Sequence, residues 1–146
     1  MPFRLGCNPI GTANTSSTTV FTNNNRITAF RELEFFVNLK TLGRYFVYGC
    51  SNLKELHIPA SVATIGNGAF LNTPRLEQVY CYPIQAPSLG VNVFSRQADQ
   101  SMGYYTRGAG TNGFHVPAVA TGYNSGLYGS TLQDTSLCGF TIIYDL

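Results

Sequence analysis

Polar and aromatic side chains recur every 23 positions in the middle of this sequence. One series holds a carboxylate, an imidazole and a phenol, and a second series holds two carboxylates and an amide. The members are Glu34, His57 and Tyr80 in the first series, and Glu32, Glu55 and Gln78 in the second. Tyr82 and His115 are further candidates for the same surface. These side chains offer hydrogen-bond partners, and tyrosine rings can stack on sugars or peptides.

Covalent chemistry is not indicated by these residues. A metal site made of Glu34, His57 and His115 would require ligands from several repeats to converge on one point. A cysteine–histidine pair needs an exposed thiol, and the pattern implies no pocket around the carboxylates of Glu32 and Glu55. The sequence also has no P-loop and no glycine-rich dinucleotide motif after a strand. We therefore predict a protein with no catalytic residues, no cofactor and no metal.

A second candidate contact site is the pair Tyr104 and Tyr105, in the glycine-rich stretch SMGYYTRGAGTNG. A tyrosine ring offers a large contact area and has few bonds whose rotation must be frozen on binding. We expect this pair to be exposed on an inserted loop over residues 95–112, unless one ring packs over the end of the domain.

The bulk composition excludes several classes of partner. With 146 residues, of which 44% are apolar, the chain can form one domain with a core. Only 11% of residues are charged and the nine Lys and Arg residues are scattered, so we expect no binding to nucleic acid. No apolar run reaches the roughly 18 residues of a membrane span. The first residues lack the apolar segment of a signal peptide, so we expect neither membrane insertion nor a signal peptide in this chain.

The same spacing extends to the apolar residues. The corresponding positions are Leu53, Leu56 and Ile58, with Leu76, Val79 and Cys81 after them and Phe30, Leu33 and Phe35 before them. Near Pro83 the spacing slips to 24, so that LGVNVF follows IGNGAF. A partial fourth copy, GFHVPA at residues 113–118, resembles ELHIPA at residues 55–60.

A period of about 23 residues lies within the range of leucine-rich repeats. In L-x-x-L-x-L, a short strand points alternate side chains inward, and Pro59 ends this strand because it has no N–H for the ladder. Val62 and Ile65 then enter the core from the opposite wall, and Gly66 is expected to permit a tight turn. A β-sandwich with accidental self-similarity is the alternative. The recurrence in three copies favours a β-rich solenoid with coils of about 23 residues.

The central copy, LKELHIPASVATIGNGAF, resembles the BspA-type leucine-rich repeat, whose usual form is L-x-x-I-x-I-P-x-S-V-x-x-I-G-x-x-A-F-x-x-C. Thr73 stands at the usual Cys position, whereas the first copy has Cys50 there but Phe36 in place of the Pro. NNRITAFRELEFFVNLKTLG and the tail that ends in GFTIIYDL are similar to the opening and closing segments of this family, often found in gut Bacteroidetes. The resemblance covers residues 27–146. It implies a right-handed leucine-rich-repeat coil with caps at both ends.

We expect one domain with an arm and two caps. Residues 1–26, rich in Asn, Thr and Ser, form an N-terminal arm or cap, and residues 27–146 form the repeat domain. Residues 116–146 are its C-terminal cap, because the open ends of a solenoid must be covered. In this cap we expect a short helix near Pro117 and a closing strand in FTIIYDL.

The four cysteines, Cys7, Cys50, Cys81 and Cys138, lack the paired spacing of a zinc site. Three disulfide pairings are compatible with the sequence. The repeat places Cys50 and Cys81 among the buried apolar positions. We therefore expect free thiols.

Two functions are compatible with these features. By resemblance, the chain is a non-enzymatic module, extracellular or at the cell surface, that binds a protein or glycan, including a host-derived one. It would do so through the outward side of its strands, termed the strand face, and the loop at residues 95–112. The alternative is a structural subunit, such as a virion decoration protein or a surface filament, that assembles through the N-terminal arm and the solenoid ends. A monomer is expected in the first case and a homo-oligomer in the second.

Overall fold

The structure of the protein, a computed structural model, describes residues 21–91, 93–94, 112–123 and 140–146. Over these residues the chain forms a β-solenoid of about three turns, as the repeat predicts. Its strands are β1 (Ala29–Phe30), β2 (Thr41–Leu42), β3 (Glu55–Ile58), β4 (Thr64–Ile65), β5 (Gln78–Cys81), β6 (Ser88–Leu89), β7 (Gly113–Val116) and β8 (Thr141–Tyr144). They form a five-stranded sheet in the order β1-β3-β5-β7-β8 and a three-stranded sheet in the order β2-β4-β6. All of these pairs are parallel.

The strand registers confirm the period and its slip. Ile58 on β3 is paired with Cys81 on β5, which is the predicted spacing of 23. Ile65 on β4 is paired with Leu89 on β6, a spacing of 24. The additional residue therefore lies between the two sheets, at the corner that contains Pro83. The partial fourth copy is also confirmed, since β7 pairs with β5.

The core lies between the two sheets and a third wall of turns. The predicted inward residues of the second and third copies are fully buried, namely Leu53, Leu56, Ile58, Ile65, Phe70, Leu76, Val79 and Cys81. Each coil leaves the five-stranded sheet at a fixed point, since β3 ends immediately before Pro59 and β7 immediately before Pro117. Both prolines are at the strand ends, where the missing N–H costs no ladder hydrogen bond.

The third wall joins neighbouring coils through backbone hydrogen bonds. Val47 N donates to Ala69 O at 2.8 Å, and Phe70 N donates to Val93 O at 2.9 Å. The turns there require the left-handed backbone region at equivalent positions of two coils, at Tyr45 (φ 53°) and Gly68 (φ 61°). Glycine adopts this region without strain, whereas tyrosine does not. The Tyr45 ring lies over Gly68, where a side chain would collide with it.

Gly66 is the first residue of the tight turn that the sequence suggested, since Ala69 N donates to Gly66 O at 3.2 Å. The positive φ of this turn occurs two residues later, at Gly68. Gly66 itself is required by the close approach of the preceding coil. A Cβ at Gly66 would lie 2.8 Å from the backbone N of Arg44 and 2.9 Å from the carbonyl carbon of Gly43.

The first coil departs from the predicted register. A 3-10 helix covers Glu32–Phe35, where the repeat predicted a strand. The strand β1 precedes this helix, and Phe30 is paired with Leu56 instead of with Leu53, its equivalent in the predicted repeat. Phe30 and Leu33 are buried as predicted, but Phe35 is 72% exposed. Its predicted inward position was wrong because residues 32–35 follow the helical period instead of strand alternation.

The C-terminal cap is partly as predicted. FTIIYDL contains β8, which runs parallel to β7. Near Pro117 the described residues form a turn in place of the expected short helix, with Ala120 N donating to Pro117 O at 2.8 Å. No helix in the described part of the chain is long and apolar enough to cross a membrane.

Several predictions fall on other residues. The arm up to residue 20, Cys7, the loop at residues 95–111 with Tyr104 and Tyr105, and Cys138 lie outside the described residues. Cys50 and Cys81 are free and buried as predicted. Burial raises the pKa of the Cys81 thiol to about 12, so this thiol stays protonated and behaves as a core residue.

Candidate functional site

The five-stranded sheet places most predicted site residues side by side on the strand face. Its register pairs Glu55 with Gln78 and His57 with Tyr80, and it pairs Tyr80 with His115. These side chains alternate with the buried ones along each strand, as period-2 geometry requires. The strand face therefore holds the two series that the sequence predicted, from His57 and Glu55 onward.

Three rings stack along the strand face. The His57 and Tyr80 ring centroids are 4.6 Å apart with an interplanar angle of 23°. The Tyr80 and His115 centroids are 4.7 Å apart with an angle of 13°. Both faces of the Tyr80 ring are thus covered by imidazoles. A sugar ring has no free face of Tyr80 on which to stack, and a ligand would meet the edges of these rings.

Both ring nitrogens of His57 have oxygen partners. Nε2 lies 2.8 Å from Glu55 Oε1. Nδ1 lies 3.2 Å from Glu34 Oε2 and 3.0 Å from the Tyr82 hydroxyl. The predicted contact between Glu34 and His57 is therefore present. Glu34 makes it from the 3-10 helix and not, as predicted, from a strand.

Arg31 anchors this cluster from the first coil. Its Nε donates to Glu55 Oε1 at 2.6 Å and its Nη2 to Glu55 Oε2 at 2.8 Å. This two-pronged contact is the strong geometry for guanidinium and carboxylate. The hydrogen bond from Arg31, with a further one from His57, lowers the pKa of Glu55 to about 2. Sequence reasoning missed Arg31, although its separation of 24 from Glu55 along the chain is close to the coil spacing.

His115 repeats this arrangement at the other end of the stack. Its Nδ1 lies 2.9 Å from both carboxylate oxygens of Asp145. Its Nε2 lies 2.8 Å from Gln78 Oε1. Asp145 was also missed, because it follows β8 and belongs to neither series. The sign available in the sequence was its place near the end of the predicted closing strand FTIIYDL.

Tyr82 lies just beyond β5 and has a protonated hydroxyl across the physiological pH range. Burial, together with the charge of Glu34, raises the pKa of Tyr82 to about 12. Its hydroxyl is therefore a hydrogen-bond donor, and it hydrogen-bonds to Glu34 beside His57. Glu32, predicted in the second series, is exposed on the 3-10 helix. It lines an open groove of about 430 Å³ together with Arg26 and Phe30.

The hydrogen-bond partners of the two histidines fix the orientation of their rings. On the strand face, each nitrogen of both histidines lies within hydrogen-bond distance of a protein oxygen, so each imidazole is held at two points. In the described residues, no three His, Cys, Asp or Glu side chains gather into a group that could hold a metal. The arrangement is suited to presenting fixed polar edges to a partner.

The comparisons with known proteins agree with the repeat. A family model described as a BspA-type leucine-rich repeat region of six copies matches residues 12–100. No curated protein and no solved structure matches the chain. The matched segment is more than half of the chain and contains β1 to β6, whose registers define the coils. The protein therefore belongs to the BspA-type leucine-rich-repeat family.

Proposed function

We propose that this protein is a non-enzymatic recognition module that binds a protein or glycan through the strand face. The repeat family suggests a protein-interaction or surface role. Within that role, we propose an extracellular or cell-surface location and adhesion as the purpose of binding. The loop with Tyr104 and Tyr105 is proposed as a second contact region.

The observation that supports this proposal is the continuity of the strand-face network. It begins at Arg31, passes through Glu55 and His57, continues through the ring stack, and ends at Asp145. Because several of these side chains are held at two points, little of their rotamer freedom remains to be lost on binding. Preorganisation of this kind favours recognition.

The same network suggests how a partner would be contacted. The ring faces are occupied by one another, so contact falls to ring edges, carboxylate oxygens and the Tyr82 hydroxyl. These groups complement hydrogen-bonding partners, such as peptide groups or sugar hydroxyls. The low charge of the chain, +2 overall, favours contacts that depend on shape and hydrogen bonds over long-range attraction.

The test is a binding screen against immobilised extracellular-matrix proteins and a glycan array, followed by variants. Tyr80→Ala removes the middle ring of the stack, and Tyr48→Ala removes a tyrosine from the third wall as the matched control. We expect Tyr80→Ala to weaken a hit by at least about tenfold, as for a central contact residue, and Tyr48→Ala to leave it unchanged. If neither Tyr80→Ala nor Glu34→Ala changes the affinity for a partner found in the screen, the strand face is not the binding surface.

A self-assembling structural subunit is the second candidate, and the end of the larger sheet favours it. β8 is the last strand of this sheet in the described residues. Tyr144 there is 44% exposed, and Ile142 and Ile143 are half-buried. Light scattering of the whole chain and of a chain without residues 1–20, the part of the predicted arm before the buried Phe21, tests this candidate. An oligomer that dissociates without the arm supports it, whereas an equal mass in both samples opposes it.

A further inference from the structure

A row of exposed apolar side chains lies at the corner where each coil leaves the five-stranded sheet. Val37, Ile84 and Val119 are 70%, 60% and 73% exposed. They stand on the first, third and fourth coils. The second coil has the small residue Ala60 at this corner, at the position equivalent to Val37 in the repeat. We define the corner ridge as Val37, Ala60, Ile84 and Val119, in this order along the solenoid.

The corner ridge is free of charge. No Asp, Glu, Lys or Arg occurs in residues 35–38, 59–63, 82–87 or 117–121, which form this corner in the four coils that carry the ridge. Asp145 follows β8 beside the last of them, and its carboxylate contacts His115 on the strand face. The exposed Phe35 adds further apolar surface beside Val37. Single exposed apolar residues are ordinary, but several at the same corner of successive coils mark a surface for protein contact. The ridge is separate from the strand face, on which charged and polar groups predominate.

A groove interrupts the ridge at its one small residue. It has a volume of about 610 Å³, lies between the second and third coils, and is lined by Ala60, Val62, Pro83, Ile84 and Ala86 among others. The coils are held together on either side of it, by Tyr82 N donating to Ile58 O at 3.1 Å and Ser88 N donating to Ala63 O at 3.0 Å. Between these bonds lies the extra residue of the third coil. Pro83 and Pro87 have no N–H with which to close the gap.

We propose that the corner ridge joins two copies of this chain in a two-fold symmetric dimer. The order of sizes along the ridge is large, small, large, large, at Val37, Ala60, Ile84 and Val119. A two-fold axis between the second and third coils reverses this order in the partner copy. Ile84 of each copy then enters the groove over Ala60 of the other, and Val37 of each copy packs against Val119 of the other. The surface is self-complementary, as such a dimer requires.

A second copy is favoured as the occupant by charge and by shape. Because the ridge carries no charge, pairing it with itself brings no like charges together. Homodimer interfaces are also more apolar than interfaces between different proteins. With coils about 4.8 Å apart, the ridge from Val37 to Val119 is only about 14 Å long, so the dimer is expected to be small and weak. It uses neither the arm nor the strand face, and it therefore presents two strand faces in one particle.

The first test measures mass against concentration for the whole chain by analytical ultracentrifugation. Ile84→Asp places a charge at the centre of the interface, and Val91→Asp places one on the third wall, at a residue that is 65% exposed. We expect a reversible dimer for the natural chain and for Val91→Asp. For Ile84→Asp we expect a dissociation constant raised by roughly 100-fold, as for a central interface residue. A natural chain that is monomeric at every concentration overturns the proposal, and so does a dimer that survives Ile84→Asp.

The second test exchanges the large residue Ile84 and the small residue Ala60, which are proposed to face each other across the interface. Ala60→Ile fills the groove and is expected to abolish the dimer, while Ile84→Ala is expected to weaken it. The double variant Ala60→Ile/Ile84→Ala restores one large and one small residue at each contact. We expect its dissociation constant to return to within about tenfold of the natural value. A double variant no better than Ala60→Ile would show that these residues do not face each other, and would overturn the two-fold register.

Discussion

The strand face and the corner ridge are two exposed surfaces that are produced by the same repeat but differ in how their side chains are satisfied. On the strand face, carboxylates, imidazoles and a guanidinium hydrogen-bond to one another. On the corner ridge, the exposed side chains are aliphatic and face solvent. The first surface is rigid before any partner arrives, whereas the second gains stability only when it is covered. The strand face is therefore suited to selective recognition of a partner, and the corner ridge is suited to association between copies of the chain.

The difference originates in the backbone. Strand residues are constrained by the ladder, so that equivalent outward positions must lie beside one another in successive coils. At the corner the two ladders are interrupted except, in the described residues, for one parallel bridge between Gln85 and Thr121, and the third coil gains a residue there without loss of pairing in either sheet. The strand face can therefore form long stacks, while the corner forms knobs and a groove.

The largest expected effect is unfolding of the domain, which would abolish both surfaces together. Ile65→Asp places a charge at a fully buried position of β4, and we expect a loss of more than about 4 kcal/mol in the free energy of unfolding. Its neighbour Thr64 is exposed, so Thr64→Asp is the matched control and should remain folded. Circular dichroism with urea titration measures both. A folded Ile65→Asp protein would contradict the assignment of this wall to the core.

The next effect is confined to the strand face. Tyr80→Ala removes two ring contacts, each worth about 0.5–1.5 kcal/mol, and we expect a loss of about 2 kcal/mol in total. Tyr80→Phe keeps both contacts and is expected to change stability by less than about 0.5 kcal/mol. Equal stability of the alanine variant and the natural chain in urea would mean that the stack contributes nothing to the fold.

A smaller effect depends on pH and concerns Glu55. Its pKa in the folded state is about 2, below the ordinary value of 4.5. The carboxylate therefore stabilises the fold above about pH 4.5, and this contribution is lost as the pH falls towards about 2. Because Arg31 is largely exposed, we expect Glu55→Gln to cost at most about 1 kcal/mol at pH 7.

This prediction is checked by urea unfolding of Glu55→Gln and the natural chain between pH 2 and 7. The difference in stability between them should shrink as the pH falls. Glu77→Gln, at an exposed carboxylate outside the strand-face network, serves as the control. A difference that stays constant with pH would contradict the role of the ionised carboxylate.

The smallest effect is expected at the corner ridge. Ile84→Asp lies at an exposed position, so the unfolding free energy at low protein concentration should change by less than about 0.5 kcal/mol. The same variant is expected to change self-association strongly. Thermal unfolding of dilute samples measures the first quantity. A large loss of stability would mean that Ile84 supports the coil itself and is not a free contact residue.

Much of the fold was predictable because the central copies obey two strict periods. The alternation along each strand predicts Leu56 and Ile58 as buried, and the repeat spacing places His57 beside Tyr80. The first coil was not predictable in the same way. Its Leu33 is buried whether residues 32–35 form a strand or a 3-10 helix, so the apolar pattern could not distinguish the two.

The site was predictable as a set of positions but not as a network. The spacing brought Glu55, His57 and Tyr80 together, because ladder position follows from register. Arg31 and Asp145 were missed because their contacts depend on the 3-10 helix and on the segment after β8, where no period applies. The ring stack depends on side-chain torsions that spacing does not determine. The groove likewise depends on how one additional residue is accommodated in space.

That additional residue near Pro83 has a practical consequence for protein engineering. The spacing changes from 23 to 24 between β3–β5 and β4–β6, yet both sheets keep their parallel pairing. This corner therefore absorbs a change in chain length without transmitting it to the rest of the solenoid. An insertion between Ile84 and Gln85 would break the contacts with the fourth coil, where Thr121 N donates to Ile84 O and Ala86 N donates to Thr121 O. A short foreign peptide grafted at this corner should nevertheless leave both sheets paired. The repeat would then serve as a carrier for epitopes.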